Sequence, residues 1–137
     1  MNNGPVLIVD DDEDDKELVI DAWKELDYGN ELIFMTHGQE VLAYLKSGKP
    51  TPFLILCDVD IPKMDGFELK EKILDDSNSH YKSIPFVFWS SGVSKAQIQR
   101  AYDLGVNGFF VKENSFEGIK TSLKNIVAYW AESVVPE

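Results

Sequence analysis

Four short apolar runs in this chain each end on a polar residue that can take part in chemistry. The runs and the residues after them are 6–9 before Asp10 and Asp11, 53–57 before Asp58, 86–89 before Ser90, and 108–111 before Lys112. Apolar runs of this length are typical of strands buried in a parallel sheet. Ligands of open α/β sheets bind beyond the carboxyl ends of the strands. The sequence therefore predicts that three acids, a hydroxyl and a lysine meet at one edge of one sheet.

The length and composition of the chain fit a single domain, which we expect to span residues 1–137. Of the 137 residues, 44% are hydrophobic, and the lone Cys57 cannot form an internal disulfide. We expect a cytoplasmic protein, because no segment resembles a membrane span or a secretory signal. The net charge of −11 opposes binding to nucleic acids and suits a protein that binds a cation or a basic partner.

Strand-like and helix-like segments alternate along the chain. The predicted strands are 5–9, 31–36, 53–57, 85–89 and 107–111. The predicted helices are 13–28, 38–47, 66–75, 94–104 and 115–132, and the polar residues 75–83 are predicted to form a surface loop. This alternation indicates βα units around a parallel sheet. The chain is too short for an eight-stranded barrel, so we predict an α/β, doubly wound, flavodoxin-like (βα)5 fold with strand order 2-1-3-4-5.

The strand order brings the acids that follow the first and third strands to one crevice. Three crowded carboxylates, Asp10, Asp11 and Asp58, repel one another unless one is protonated or a cation joins them. Oxygen ligands of this kind favour a hard ion such as Mg²⁺. Ser90 and Lys112 can bind oxygen atoms of a phosphoryl group. This combination can stabilise the charge on a phosphoryl group that transfers in line to a carboxylate.

The acids that open the first predicted helix have a simpler explanation. Acids are favoured at helix N-termini because they cap free backbone N–H groups and interact with the helix dipole. We therefore interpret Asp12, Glu13, Asp14 and Asp15 as the charged start of this helix and assign them no role in the site. Asp65 is predicted to cap the third helix for the same reason.

With these residues in place, the chain resembles the receiver domain of two-component response regulators over essentially its whole length. The matching segments, in the order of that family, are 6–11, 58–66, 84–91 and 105–112. The resemblance implies a phosphorelay signalling module and not an enzyme with a turnover reaction. It also implies that Asp58 accepts a phosphoryl group from a sensor histidine kinase or a histidine phosphotransfer protein and becomes an acyl phosphate.

The resemblance implies a site for Mg²⁺ (or Mn²⁺) beside the phosphoacceptor. Asp11 would ligate the metal directly, Asp10 directly or through water, and Asp58 together with the backbone carbonyl of Asp60 would complete the protein ligands. Asp60 itself departs from the family pattern, in which Asn or another neutral residue is common at this position. Its carboxylate adds a negative charge beside the expected acyl phosphate.

The resemblance further implies a switch. Ser90 would bind the phosphoryl group and shift inward, Lys112 would pair with the same group, and Phe109 matches the aromatic residue that then swings inward. The chain departs from the family after the lysine, where a proline is usual and often follows a cis peptide bond. Glu113 stands there instead, so a trans or a strained peptide is expected at this corner.

Only one predicted helix and a short tail follow Lys112, so we expect a stand-alone receiver without an output domain. Its output would then come from binding an unidentified partner, from passing the phosphoryl group onward, or from self-association as a homodimer. The family usually uses the last two helices and the fifth strand as its output surface.

Two other classes of function remain as alternatives. Residues 58–60 resemble the DxD nucleophile motif of haloacid-dehalogenase-type phosphatases, which also use Mg²⁺, a hydroxyl and a lysine. That family places the motif after its first strand and its acidic pair last, whereas here the acidic pair comes first. The third alternative is a receiver that binds its partner without phosphorylation. Loss of an essential residue would have indicated it, and none is lost.

Overall fold

The computed structural model describes residues 3–136, except the side chain of Ser79, so residues 1, 2 and 137 of the expected domain lie outside the described part. The strands are β1 Val6–Val9, β2 Leu32–Met35, β3 Leu54–Cys57, β4 Phe86–Ser90 and β5 Gly108–Val111. The helices are α1 Glu13–Leu26, α2 Gly38–Lys46, α3 Gly66–Asp75, α4 Lys95–Asp103 and α5 Phe116–Glu132. A short 3₁₀ helix, Ser79–Ser83, lies between α3 and β4.

The five strands form one parallel sheet in the order β2-β1-β3-β4-β5. The predicted flavodoxin-like (βα)5 fold is therefore confirmed. The register pairs Val9 with Cys57 and Ser90 with Val111, so the carboxyl ends of neighbouring strands lie level with each other. Any side chain directly after these ends consequently reaches the same edge of the sheet.

The core lies on both faces of the sheet because the strand side chains alternate between them. Leu7, Ile55 and Phe88 are buried on the face that α2, α3 and α4 cover. Ile8 and Leu56 are buried on the face that α1 and α5 cover. Both faces of the sheet are thus covered by apolar side chains, and polar side chains can gather only at its edge.

The structure corrects the predicted bounds in three places. Helix α1 ends before residue 28 because Asp27 takes a left-handed conformation with φ 57° and its N–H donates to the Trp23 carbonyl. The polar loop predicted at 75–83 contains the 3₁₀ helix, whose start is capped by the Asn78 side chain. Ser90 is the last residue of β4 and not the first residue after it.

Two smaller predictions are confirmed. Asp65 caps α3 in a reciprocal arrangement. The Asp65 side chain accepts a hydrogen bond from the Glu68 N–H, and the Glu68 side chain accepts one from the Asp65 N–H. Cys57 is fully buried. In the described part of the chain, none of the helices has the length and apolar character that crossing a membrane requires.

Candidate functional site

The polar residues at the strand ends are fixed by backbone hydrogen bonds that extend the sheet by one residue. The Asp58 N–H donates to the Val9 carbonyl at 2.9 Å, and the Lys112 N–H donates to the Ser90 carbonyl at 2.9 Å. Asp10 is anchored in the same way by the Met35 carbonyl. The structure therefore brings Asp10, Asp58, Ser90 and Lys112 together at the carboxyl edge of the sheet.

The two oxygen atoms of the Asp58 carboxylate have different surroundings. Oδ1 accepts a hydrogen bond from the Ser90 hydroxyl at 2.6 Å and from the Asp60 N–H at 3.0 Å. Oδ2 lies 3.8 Å from Nζ of Lys112, which is beyond hydrogen-bond distance. No described residue donates a hydrogen bond to Oδ2, and 17% of the side chain is exposed. One oxygen is thus oriented by the protein, and the other is left open.

Lys112 is buried among carboxylates. Its side chain is 5% exposed, and its ammonium forms ion pairs with Asp10 and, at 3.1 Å, with Oδ2 of Asp15. The ammonium also lies 5.5 Å from the centre of the Trp89 ring. Burial alone would lower the pKa of Lys112, but the hydrogen bond and charges of the carboxylates outweigh it and raise this pKa. The lysine is therefore a fixed positive charge within the site.

Asp10 shares the buried part of the site with Lys112. Its side chain is 8% exposed, and its Oδ1 accepts a hydrogen bond from the Asp12 N–H at 2.9 Å. Burial raises the pKa of Asp10, although its hydrogen bond with Lys112 opposes the shift, and the charge of Asp58 adds to it. A second cation in the crevice would stabilise the ionised forms of Asp10 and Asp58 by offsetting burial and their mutual repulsion.

Asp11 and Asp60 lie at the outer side of the crevice with exposed side chains. Searched over residues 3–136, the side chains of His, Cys, Asp and Glu form no group of three that could hold a metal by themselves. Mg²⁺, however, commonly takes only one or two protein carboxylates and fills its other positions with water and phosphate oxygens. The exposed carboxylate of Asp11 and the carboxylate of Asp58 fit that kind of donor set.

Gly66, the first residue of α3, allows the loop after β3 to close against the site. A Cβ atom on this residue would lie 2.7 Å from the Asp58 carbonyl oxygen and 2.7 Å from the Phe88 ring. The Gly66 N–H donates to the Val59 carbonyl at 2.9 Å. Only a glycine permits this approach, so the residue helps to fix the backbone of Asp58.

Phe109 packs against the core of the sheet. Its half-buried ring packs against Phe88 with the ring centres 5.6 Å apart, on the sheet face covered by α2, α3 and α4. Lys112, three residues later, lies over Trp89 of the opposite face. The peptide between Lys112 and Glu113 is not cis, since residues 3–136 contain no cis peptide bond.

The sequence interpretation missed one residue of the site, Asp15. It was assigned to the helix start, but its carboxylate pairs with Lys112. No local signal marked it, because its partner Lys112 is 97 positions away in the chain. Trp89 belongs to the run 86–89, which is predicted to be a buried strand, and it is 2% exposed, yet the Lys112 ammonium also lies over its ring.

The fold and the site define the class of protein. A parallel sheet of order 2-1-3-4-5 carries acids after its two central strands, a hydroxyl at the end of the fourth strand and a lysine after the fifth. The response regulator receiver domain model matches residues 6–124, and the chain belongs to this family of two-component signalling modules.

Several proteins with similar sequences and structures are response regulators. The chain is 29% identical to the response regulator Rcp1 of Synechocystis sp. over 134 residues, which cover 94% of this chain and 90% of Rcp1. The structure of the phosphorylated cyanobacterial phytochrome response regulator RcpA is 27% identical, with a TM-score of 0.88 over 99% of this chain and all of RcpA. The Mn²⁺-bound structure of Rcp1 is 28% identical, with a TM-score of 0.84 over 98% of this chain and 99% of Rcp1.

Proposed function

We propose that this protein is a phosphorelay response regulator that accepts a phosphoryl group on Asp58. The observation that carries the proposal is the contrast between the two carboxylate oxygens. Oδ1 is held by Ser90 and the Asp60 N–H, whereas no described residue donates a hydrogen bond to Oδ2. An oriented carboxylate with one open oxygen at the mouth of a crevice is suited to nucleophilic attack on phosphorus. The phosphorylated relative RcpA adds support by similarity.

The phosphoryl donor is a phosphohistidine of a sensor kinase or of a histidine phosphotransfer protein. Oδ2 of Asp58 forms the new O–P bond while the N–P bond of the donor breaks, and the electron pair of that bond stays on the imidazole. With a small donor such as acetyl phosphate, the same electron pair leaves with acetate. The product in both cases is an aspartyl phosphate, so the chain is consumed as an acceptor and does not turn over a substrate as an enzyme would.

Ser90 and Lys112 stabilise the transferred group. The Ser90 hydroxyl already donates to Asp58 and can turn to an oxygen of the phosphoryl group. The Lys112 ammonium, 3.8 Å from Oδ2, needs only a short movement to reach another of these oxygens. Both groups bind negative charge that has moved onto Asp58, which favours transfer through preorganised electrostatics.

Asp10, Asp11, Asp58 and the carbonyl of Asp60 would hold Mg²⁺ (or Mn²⁺). When bound, the metal neutralises the carboxylates and the charge of the phosphoryl oxygens. The acidic, oxygen-rich donor set and the exposed Asp11 side chain support this assignment, as does the Mn²⁺-bound form of the relative Rcp1. The protein residues otherwise orient Asp58 and supply the hydroxyl and the ammonium.

We infer that phosphorylation changes the surface through Ser90 and Phe109. Ser90 is 1% exposed, so its movement toward a phosphoryl group leaves space in the core next to β5. Phe109 is half-buried against Phe88, which lies two residues before Ser90 on β4, and its ring can fill that space. The signal would pass to an output partner that binds the altered surface, or to a second copy of the chain.

The test is an intact-mass measurement after incubation with Mg²⁺ and acetyl phosphate. We expect the wild type to gain one phosphoryl group and Asp58→Asn to gain none. Asp60→Asn serves as the matched control, because it removes a neighbouring carboxylate and keeps the backbone N–H that binds Asp58. This variant should still be phosphorylated.

Two outcomes would contradict the proposal. If the wild type gains no mass and forms no beryllofluoride complex, a receiver that binds its partner without phosphorylation becomes the better explanation. If the protein instead releases phosphate continuously from a phosphate monoester, a phosphatase activity would replace the proposed role.

A further inference from the structure

Asp15 contacts the lysine of the site but has no part in the proposed reaction. Its Oδ2 accepts a hydrogen bond from Nζ of Lys112 at 3.1 Å, whereas Oδ2 of Asp58 lies 3.8 Å from the same nitrogen. The side chain of Asp15 is 25% exposed and that of Lys112 only 5%. In the resting protein the ammonium therefore donates hydrogen bonds to Asp10 and Asp15, whereas it reaches the phosphoacceptor only at ion-pair distance.

The helix does not need the carboxylate of Asp15 for its own start. The cap of α1 is Asp12, whose side chain accepts from the backbone N–H groups of Asp14 at 2.9 Å and Asp15 at 3.2 Å. The Asp15 side chain is left free to face the sheet edge. Asp14, its neighbour in the same first turn, is exposed and forms no ion pair with any described residue.

Lys112 has little freedom to serve all of its partners at once. Its side chain is 5% exposed, and its ammonium, which has three hydrogen atoms to donate, lies over the Trp89 ring. To bind a phosphoryl oxygen on Asp58, the ammonium must move from its present position toward Oδ2. Each carboxylate that holds it on the far side opposes that movement.

We propose that Asp15 is a positioning residue that holds Lys112 away from Asp58 in the resting protein and so slows phosphorylation. The inference rests on the proposed function of Asp58 and deepens it. Phosphoryl transfer itself is unchanged: the new bond forms at Oδ2 of Asp58, and the leaving group departs with its electron pair. Asp15 acts only by fixing the position of the Lys112 ammonium before the phosphoryl group arrives.

The test compares the rates at which variants are phosphorylated by acetyl phosphate with Mg²⁺, followed by intact mass. Asp15→Asn removes the competing charge but keeps the size of the side chain, and we expect about three- to tenfold faster phosphorylation than in the wild type. Asp14→Asn removes one charge from the same helix turn, away from Lys112, and should leave the rate close to that of the wild type. Asp15→Glu restores a carboxylate and should return the rate toward the wild-type value.

Binding of beryllofluoride provides a second measurement that does not depend on turnover. Its complex on Asp58 would place negative charge where the phosphoryl oxygens lie, so Asp15→Asn should bind it more tightly than either the wild type or Asp14→Asn. Urea unfolding of the same variants shows whether the fold is intact. A structural defect would lower stability and would not be reversed by glutamate at this position.

The outcomes separate this inference from the function on which it rests. If the wild type is phosphorylated but Asp15→Asn reacts no faster than Asp14→Asn, or more slowly than the wild type, the positioning role is wrong and the proposed function stands. If the wild type is not phosphorylated at all, the proposed function fails, and the positioning role fails with it.

Discussion

At the residue scale, the molecule contains two buried lysines in opposite electrostatic situations. Lys112 is surrounded by carboxylates that raise its pKa. Lys70 on α3 is 3% exposed, forms no ion pair or hydrogen bond within residues 3–136, and has its ammonium 5.3 Å from the centre of the Phe86 ring. Burial lowers the pKa of Lys70. Lys112 is therefore part of a charged site, whereas the buried charge of Lys70 lowers the free energy of unfolding.

Replacing Lys70 by methionine is expected to stabilise the fold. Because the folded-state pKa lies below the unfolded value, the charged form is disfavoured on folding, and stability is lost as the pH falls from the unfolded value to the folded-state pKa, below which the loss is complete. Lys70→Met should raise the free energy of unfolding by about 1 kcal/mol near neutral pH. Urea denaturation measures the change, and the gain should shrink as the pH approaches 10.5, the ordinary value for lysine.

The matched control is Lys72→Met, which removes a lysine from the exposed side of the same helix. It should change the free energy of unfolding by less than about 0.5 kcal/mol. A loss of stability in Lys70→Met at neutral pH would mean that the contact with the Phe86 ring outweighs the cost of burying the charge.

At the scale of elements, the first turn of α5 packs closely against the loop that follows Lys112. Gly118, in the first turn of α5, lies so close to this loop that a Cβ atom would be 2.4 Å from Cβ of Glu113 and 2.7 Å from its Cγ. The Gly118 N–H donates to the Ser115 side chain, which caps the helix. Glu113, the residue after the lysine, is thus accommodated by a glycine on the next helix.

Gly118→Ala is expected to destabilise the protein by about 1 to 3 kcal/mol, since either the loop or the helix must shift. The sign is informative, because replacing glycine by alanine within a helix is otherwise favourable by about 1 kcal/mol. Urea denaturation measures the change, and acetyl phosphate labelling should show slower phosphorylation if Lys112 moves with the loop.

The double variant Glu113→Gly with Gly118→Ala tests the assigned cause. It removes the atoms that the new methyl group would meet, so it should be more stable than the sum of the two single variants. Simple additivity of the two changes would show that the contact between α5 and the loop is not responsible.

At the scale of the whole molecule, the net charge is −11, and the acids that follow β1 and β3 contribute to it at one edge of the sheet. If Mg²⁺ binds there, it binds the folded chain and not the unfolded one, which raises the free energy of unfolding by about 2.7 kcal/mol at a concentration near 100 times Kd. Thermal unfolding with Mg²⁺ measures this effect, with NaCl of equal ionic strength as the reference. Asp11→Asn should lose most of the gain, and Asp14→Asn should keep it.

An equal rise in NaCl alone would contradict a specific site, because it would show that Mg²⁺ only screens repulsion among the acids. A full gain in Asp11→Asn would contradict the assignment of that carboxylate as a ligand.

The sheet and most of the site could be predicted from the sequence, because the carboxyl ends of parallel strands lie at one edge of the sheet. Apolar runs located β1, β3, β4 and β5, and topology then placed Asp10, Asp58, Ser90 and Lys112 at one edge. The 3₁₀ helix was not predicted, since its polar residues have no periodic pattern.

The pairing of Asp15 with Lys112 could not be found from local patterns either. The two residues are 97 positions apart, and a first-turn acid satisfies every local rule for capping a helix. Only the tertiary arrangement distinguishes Asp15 from Asp14. Local rules thus identify which residues can do chemistry, whereas the contact partners of a charge depend on how distant elements pack.

The hydrogen bonds that anchor Asp58 and Lys112 also bear on how readily their backbone amides exchange with solvent. The Asp58 N–H donates to Val9 and extends the ladder between the inner strands β1 and β3, whereas the Lys112 N–H donates to Ser90 and extends the ladder between β4 and the edge strand β5. Amides between inner strands exchange with solvent chiefly through cooperative opening of the sheet, whereas loops open in small, low-energy fluctuations. Asp58 is therefore expected to exchange its amide proton slowly, and the loops around it more rapidly.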